Sequence, residues 1–113
     1  MIKIYHNPRC SKSREGLCLL NDLNQKAEVI NYIENPLTFD ELKKLIDLLN
    51  ISPIELVRTK EVIWKEQFKN QNPTDEQIIQ AMVDFPKLIE RPIVVNGNKA
   101  VIARPAEKIK DII

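Results

Sequence analysis

The sequence predicts an α/β fold in which short strands alternate with amphipathic helices. Hydrophobic residues follow strand-like patterns near both ends of the chain and a helical period through the middle. Proline, asparagine and glycine residues mark most of the points at which the pattern changes. Together these observations predict the element order β-α-β, a block of helices, and β-β-α.

The first predicted strand and helix lie on either side of a thiol. Ile2-Lys3-Ile4-Tyr5 is predicted to form a strand, and Asn7-Pro8 is typical of a turn. Leucines then recur at helical spacing, which predicts a helix over residues 11–23. Cys10 is therefore expected where the strand passes into the helix.

Capping and turn residues delimit the elements in the middle of the chain. Residues 28–33 are predicted to form the second strand, which ends before Asn35-Pro36. Thr38-Phe39-Asp40-Glu41 has the pattern of a capping box, and the apolar stripe that follows predicts a helix over 38–49. Similar signals predict three further helices, which involve Pro53, residues 62–69, and the segment from Thr74 to Pro86.

The last part of the chain returns to strand periodicity. Ile93-Val94-Val95 and Ala100-Val101-Ile102 flank the turn Asn96-Gly97-Asn98, so they predict a β-hairpin. Pro105 is typical of a first helical position. It predicts a final helix with three isoleucines on one side, namely Ile109, Ile112 and Ile113.

Composition excludes several classes of protein. The chain has 113 residues, which is enough for one domain with a real core. Its net charge is +1, so a general basic surface for nucleic acid is not expected. No apolar run approaches the length of about 20 residues that a membrane span needs, and a signal-peptide pattern is absent. We therefore expect a cytoplasmic protein in a reducing compartment.

Cys10 has the surroundings of a reactive thiol. The first N–H groups of a helix favour negative charge, so a thiolate or an oxyanion is stabilised there. His6, Arg9, Lys12 and Arg14 are expected to add positive potential. Such surroundings lower the pKa of a cysteine below its ordinary value of about 8.5. A structural cysteine is the less favoured interpretation, because those usually lie in apolar runs.

The second cysteine is not expected to pair with the first. Cys18 would lie about 12 Å from Cys10 along the predicted helix, whereas a disulfide needs Cα atoms about 4.4–6.8 Å apart. A core or helix-face position for Cys18 is favoured over a resolving thiol. The segment from Cys10 to Ser13 has serine where a dithiol enzyme has its second cysteine, so any redox cycle needs an external thiol. Metal-ligand spacing is absent as well, and we expect no bound metal.

These elements resemble the thioredoxin-like fold. The points of resemblance are the thiol after the first strand, the helical insert at about 38–86, and Arg91-Pro92 before the hairpin. The resemblance implies one domain over residues 1–113 with a mixed four-stranded sheet, and a cis-proline at Pro92 that faces the thiol. The first two strands are expected to be parallel and the last two antiparallel.

Several motifs in order resemble one family, the glutaredoxin-coupled arsenate reductases. They are His6-Asn7-Pro8-Arg9-Cys10, Ser13-Arg14, Glu34-Asn35-Pro36, Glu90-Arg91-Pro92-Ile93-Val94-Val95 and Arg104-Pro105. The resemblance implies that the cysteine attacks arsenate, that glutathione takes the adduct, and that glutaredoxin completes the reduction to arsenite. It also implies glutathione as co-substrate and no bound cofactor, and we expect a cytoplasmic monomer.

The same resemblance assigns roles to individual residues. Cys10 and His6 would be catalytic. The oxyanion would be bound by four residues, which are Arg58, Arg91, Arg104 and Ser13. Arginine suits this task because its planar fork binds tetrahedral oxyanions in a bidentate manner. An ion-pair role for Arg58 and a turn or thiol-tuning role for His6 remain open.

Two other functions remain open at this point. The family pattern has Gly-Thr after the cysteine, whereas this chain has Ser11-Lys12. A regulatory branch of the same superfamily binds the α subunit of RNA polymerase, but it typically carries CxxC, which Ser13 disfavours. The third possibility is a glutathione-dependent thiol oxidoreductase without arsenate activity.

Overall fold

The computed structural model describes residues 2–113. The chain divides into two compact units: Met1–Asn35 together with Arg91–Ile113 forms the first, and Pro36–Glu90 forms the second. The predicted helical insert at about 38–86 thus corresponds to the second unit. The expectation that residues 1–113 form a single domain stays a prediction.

The first unit contains a four-stranded mixed sheet with the strand order β2-β1-β3-β4. β1 pairs in parallel with β2, and β3 pairs antiparallel with β4, as the sequence predicts. β1 also pairs antiparallel with β3. The strands are β1 (Ile2–His6), β2 (Ala27–Asn31), β3 (Ile93–Asn96) and β4 (Lys99–Ile102).

The core of this unit lies between the sheet and helix α1 (Ser11–Asp22). Side chains of a strand alternate between its two faces, and in β1 the buried positions are Ile2, Ile4 and His6. His6 is thus directed inward by the strand itself. The buried core also contains Leu20, Val94, Ala103, Ile109 and Ile112.

Helix α1 passes very close to the segment before β3. A Cβ atom placed on Gly16 would lie 2.8 Å from Cγ of Pro92, so the glycine permits this approach. The Arg91–Pro92 peptide bond is cis, as the resemblance implied. The Arg104–Pro105 peptide bond is also cis, and neither the sequence nor the resemblance predicts it.

The second unit is helical. Its α-helices are α2 (Phe39–Leu49), α3 (Val62–Gln67) and α4 (Asp75–Asp84), and short 3₁₀ helices span Pro53–Leu56 and Pro86–Leu88. The predicted capping box forms, since the N–H of Glu41 donates to Oγ1 of Thr38 at 3.2 Å and its carboxylate accepts the N–H of Thr38 at 3.0 Å. Buried residues of α2 and α4 include Leu42, Leu45, Ile46 and Met82.

Two of the differences from the predicted elements have local reasons. β2 ends at Asn31 because the side chain of that residue accepts the N–H groups of Ile33 and Glu34, which turns the chain. The final helix is a 3₁₀ helix over Ala106–Asp111 rather than an α-helix. In a 3₁₀ helix, residues three apart share a side.

That geometry explains the terminal isoleucines. Ile109 and Ile112 are three residues apart, and both are buried. Ile113 is exposed, so the prediction that all three lie on one side was wrong for this residue. Within residues 2–113, the structure contains no helix with both the length and the apolar character needed to cross a membrane.

Candidate active site

Sheet topology brings residues that are distant in sequence to one end of the first unit. Ile93 of β3 pairs with Tyr5 near the end of β1 and with Ile102 at the end of β4. Arg91 lies two residues before Ile93, and Arg104 lies two residues after Ile102. Both arginines therefore lie at the sheet end from which the thiol loop leaves β1.

The loop between β1 and α1 is held by hydrogen bonds that it makes itself. The carbonyl of Asn7 accepts the N–H of Cys10 at 3.0 Å, which closes a turn with Pro8 in its second position. Oδ1 of Asn7 accepts the N–H of Arg9 at 3.1 Å. Nη1 of Arg14 donates to the carbonyl of Pro8 at 2.9 Å. The thiol is thus presented by an ordered turn.

Cys10 is the N-cap residue of α1, as the sequence predicts. Its sulfur makes no fully formed capping hydrogen bond, but the nearby N–H groups of Ser13 and Lys12 stabilise a negative charge on it. Burial raises the pKa of the thiol. The Ser13 N–H, the hydrogen bond and positive charge of the Arg91 side chain, and the Lys12 N–H together outweigh burial and lower the pKa below its ordinary value.

The positive charge that acts on the sulfur comes from Arg91, which is only 8% exposed. The sequence predicts positive potential from residues of the loop and of α1 as well. Lys12 pairs with Glu15 at 3.5 Å, and Nη1 of Arg14 donates to the carbonyl of Pro8. The charge of Arg14 acts on the neighbouring His6. The contribution of Arg9, Lys12 and Arg14 to the potential at the sulfur stays a prediction.

His6 is engaged with Ser13 rather than with the sulfur. Nδ1 of His6 lies 2.7 Å from Oγ of Ser13, and both side chains are buried. Burial is the main cause that lowers the pKa of His6; a backbone hydrogen bond at Ser13 opposes it, and the charge of Arg14 adds to it. The lowered pKa favours the neutral imidazole. Its predicted catalytic role stays a prediction.

The remaining predicted anion ligands, Arg104 and Arg58, belong to different units. Arg104 is half-buried, and its N–H donates to the carbonyl of Ile102 at 2.9 Å. Arg58 belongs to the second unit, where its guanidinium pairs with Glu61 at 3.2 Å. The ion-pair interpretation of Arg58 is thus realised, and its role as an anion ligand stays a prediction.

Cys18 is a free thiol on the exposed side of α1. Of the two positions that the sequence analysis favoured for it, the helix face is confirmed and the core is wrong. Both cysteines are free, and α1 separates them by more than two helical turns.

Sequence reasoning missed two contacts of this site. One is the effect of Arg91 on the sulfur, and the other is the bond between His6 and Ser13. The alternation along β1 could have placed His6 on the buried face, where a polar partner is needed. The family resemblance implied that Arg91 lies at the oxyanion site, but no local sequence signal shows that it acts on the thiol itself, because the register between β1 and β3 brings the two residues together.

Alkylation of Cys10 should persist well below the ordinary thiol pKa of about 8.5, because Arg91 and the helix N–H groups stabilise the thiolate. Mass spectrometry of iodoacetamide labelling as a function of pH gives the midpoint of the thiol titration and so checks this prediction. Added sulfate or arsenate should protect Cys10 and raise the midpoint. A midpoint at or above the ordinary value, with no protection beyond that of chloride at equal ionic strength, would contradict the assignment.

The chain is similar to known proteins over nearly its whole length. Residues 5–112 match the sequence model of the ArsC family. The chain is 40% identical to the arsenate reductase of Neisseria meningitidis serogroup A, with 99% of this chain and 97% of that protein covered. It is 48% identical to the uncharacterized protein YfgD of Escherichia coli strain K12, with 99% and 96% covered. The arsenate reductase structure from Vibrio cholerae superposes with a TM-score of 0.94 at 40% identity, with 99% of this chain and 97% of that chain covered.

Proposed function

The chain belongs to the ArsC family and has its thioredoxin-like fold, and from this membership we propose that it reduces arsenate to arsenite. Cys10 is the nucleophile, and it attacks the arsenic atom of the oxyanion. Relatives that carry the name arsenate reductase support this substrate, since they match the chain over nearly its whole length.

The observation that carries the proposal is the stabilised thiolate at the start of α1. Arg91 and the first helix N–H groups lower the thiol pKa, which supplies the nucleophilic form at neutral pH. The same groups favour a second negative charge nearby, so they suit a tetrahedral oxyanion. Arg104 at the same sheet end provides a further guanidinium for its oxygens.

The electron balance calls for an external thiol. Reduction of As(V) to As(III) takes two electrons, which two thiols supply as they become a disulfide; one arsenate oxygen leaves as water. Cys10 has no second thiol within reach, because Cys18 lies on the exposed side of α1 more than two turns away. Glutathione is therefore the proposed co-substrate, glutaredoxin the proposed partner, and the reducing cytoplasm the proposed compartment. The cycle uses no bound cofactor and no metal, and a monomer suffices for it.

Arsenite formation by the purified protein tests the proposal. We expect arsenite from arsenate when glutathione and glutaredoxin are both present, and a large loss of rate when either is omitted. Reduction of a mixed disulfide without arsenite formation would favour a thiol oxidoreductase instead. Specific binding to the RNA polymerase α subunit, without arsenite formation, would favour the regulatory branch.

A further inference from the structure

Ser13 is the most completely buried polar residue around the thiol. Its side chain is 0% exposed in the first turn of α1. Oγ of Ser13 accepts the N–H of Asn7 at 2.9 Å and lies 2.7 Å from Nδ1 of His6. The hydroxyl thus joins the helix to the last residue of β1 and to the turn that follows it.

These two hydrogen bonds use most of the hydrogen-bonding capacity of the Ser13 hydroxyl. A serine side chain has one O–H donor and two acceptor lone pairs. One lone pair takes the N–H of Asn7, and the bond to His6 takes either the proton or the second lone pair. When the O–H of Ser13 donates to Nδ1 of His6, only an acceptor lone pair remains, which cannot bind an oxyanion. An oxyanion from solvent would then have to displace His6 from the hydroxyl, which would leave a buried imidazole nitrogen unsatisfied.

The backbone of Ser13 has a different task. Its N–H is the strongest of the groups that favour the thiolate of Cys10. A peptide N–H can stabilise the thiolate only while the first turn of α1 stays at a fixed distance from the loop. The Ser13 hydroxyl fixes this distance, because both of its hydrogen-bond partners precede Cys10 in the chain.

We infer that Ser13 is a positioning residue, whose hydroxyl holds His6 and Asn7 and thereby keeps its own N–H at the Cys10 sulfur. It is not a ligand of the oxyanion, and His6 acts on the thiol through it. This inference rests on the proposed function for the identity of the anion. The reactivity of the Cys10 thiol can be measured without any turnover.

Ser13→Ala tests this role, and Ser11→Ala is its matched control, since Ser11 is an exposed serine in the same turn. At pH 7 we expect Cys10 of Ser13→Ala to react with iodoacetamide about two- to tenfold more slowly, which is the range that one hydrogen bond supports. At pH 10, where every variant carries the thiolate, the rates should be equal. Ser11→Ala should match the wild type at both pH values.

A double-mutant cycle separates positioning from a general structural effect. His6→Gln should slow alkylation at pH 7 in the wild-type background and should add little in the Ser13→Ala background. The KM for arsenate should be unchanged in Ser13→Ala while kcat falls at pH 7. An unchanged alkylation rate together with a raised KM would overturn the inference and make Ser13 an anion ligand.

A measurement on the wild-type protein covers the case in which Ser13→Ala does not fold. The ¹⁵N chemical shift of His6 Nδ1 reports its hydrogen bond to Ser13. Saturation with sulfate, verified by protection of Cys10, should leave that shift in place. A large change would mean that the anion takes the hydroxyl and would overturn the inference. Failure of sulfate to protect Cys10 would instead count against the proposed function.

Discussion

Replacing Cys10 by serine should reduce arsenite formation to the rate seen without enzyme. Serine keeps the size of the side chain, but its hydroxyl is not ionised at neutral pH and cannot transfer electrons through sulfur. The helix N–H groups and Arg91 stabilise a thiolate at this one position. We therefore expect the loss to persist at every pH and at every glutathione concentration.

Cys18→Ser is the matched control for this experiment. It removes the other thiol of the chain from the exposed side of the same helix, so most of the activity should remain. Circular dichroism should show that both variants keep the wild-type fold. Equal loss in the two variants would mean that Cys18 resolves the intermediate and that the single-thiol mechanism is wrong.

Replacing Arg91 by lysine should lower kcat/KM for arsenate by about ten- to a hundredfold. The change keeps the positive charge but loses the planar fork, and a hydrogen bond to a charged group contributes about 1.5–3 kcal/mol. Alkylation of Cys10 at pH 7 should change less than turnover, since the remaining charge still favours the thiolate. Arg91→Gln removes the charge as well, so it should also raise the pKa of the thiol.

Arg9→Lys provides the matched control for the arginine variants. Arg9 is an exposed arginine in the thiol loop, and its lysine variant should behave like the wild type. Arg104→Lys should resemble Arg91→Lys in turnover but leave the thiol titration unchanged. Normal arsenate turnover in both Arg91→Lys and Arg104→Lys would show that these residues do not clamp the anion.

Local sequence signals determined the secondary structure with good accuracy. The capping boxes at Thr38 and Thr74 form as predicted, because each needs only residues within one helical turn. The position of Cys10 at the start of α1 follows from the turn at Asn7-Pro8 in the same way. The type of the last helix was not determined locally, since α and 3₁₀ turns share the same starting residues.

The chemical properties of the site depended on contacts between distant parts of the chain. The sequence by itself identified Cys10 as a helix-terminal thiol, and it marked Arg91 and Arg104 by their following prolines. Only the tertiary structure decided that the Arg91 side chain acts on the sulfur, because the pairing of β1 with β3 brings these distant residues together. Charge acts through space rather than along the chain, and burial strengthens it, so the pKa of Cys10 is a property of the tertiary structure.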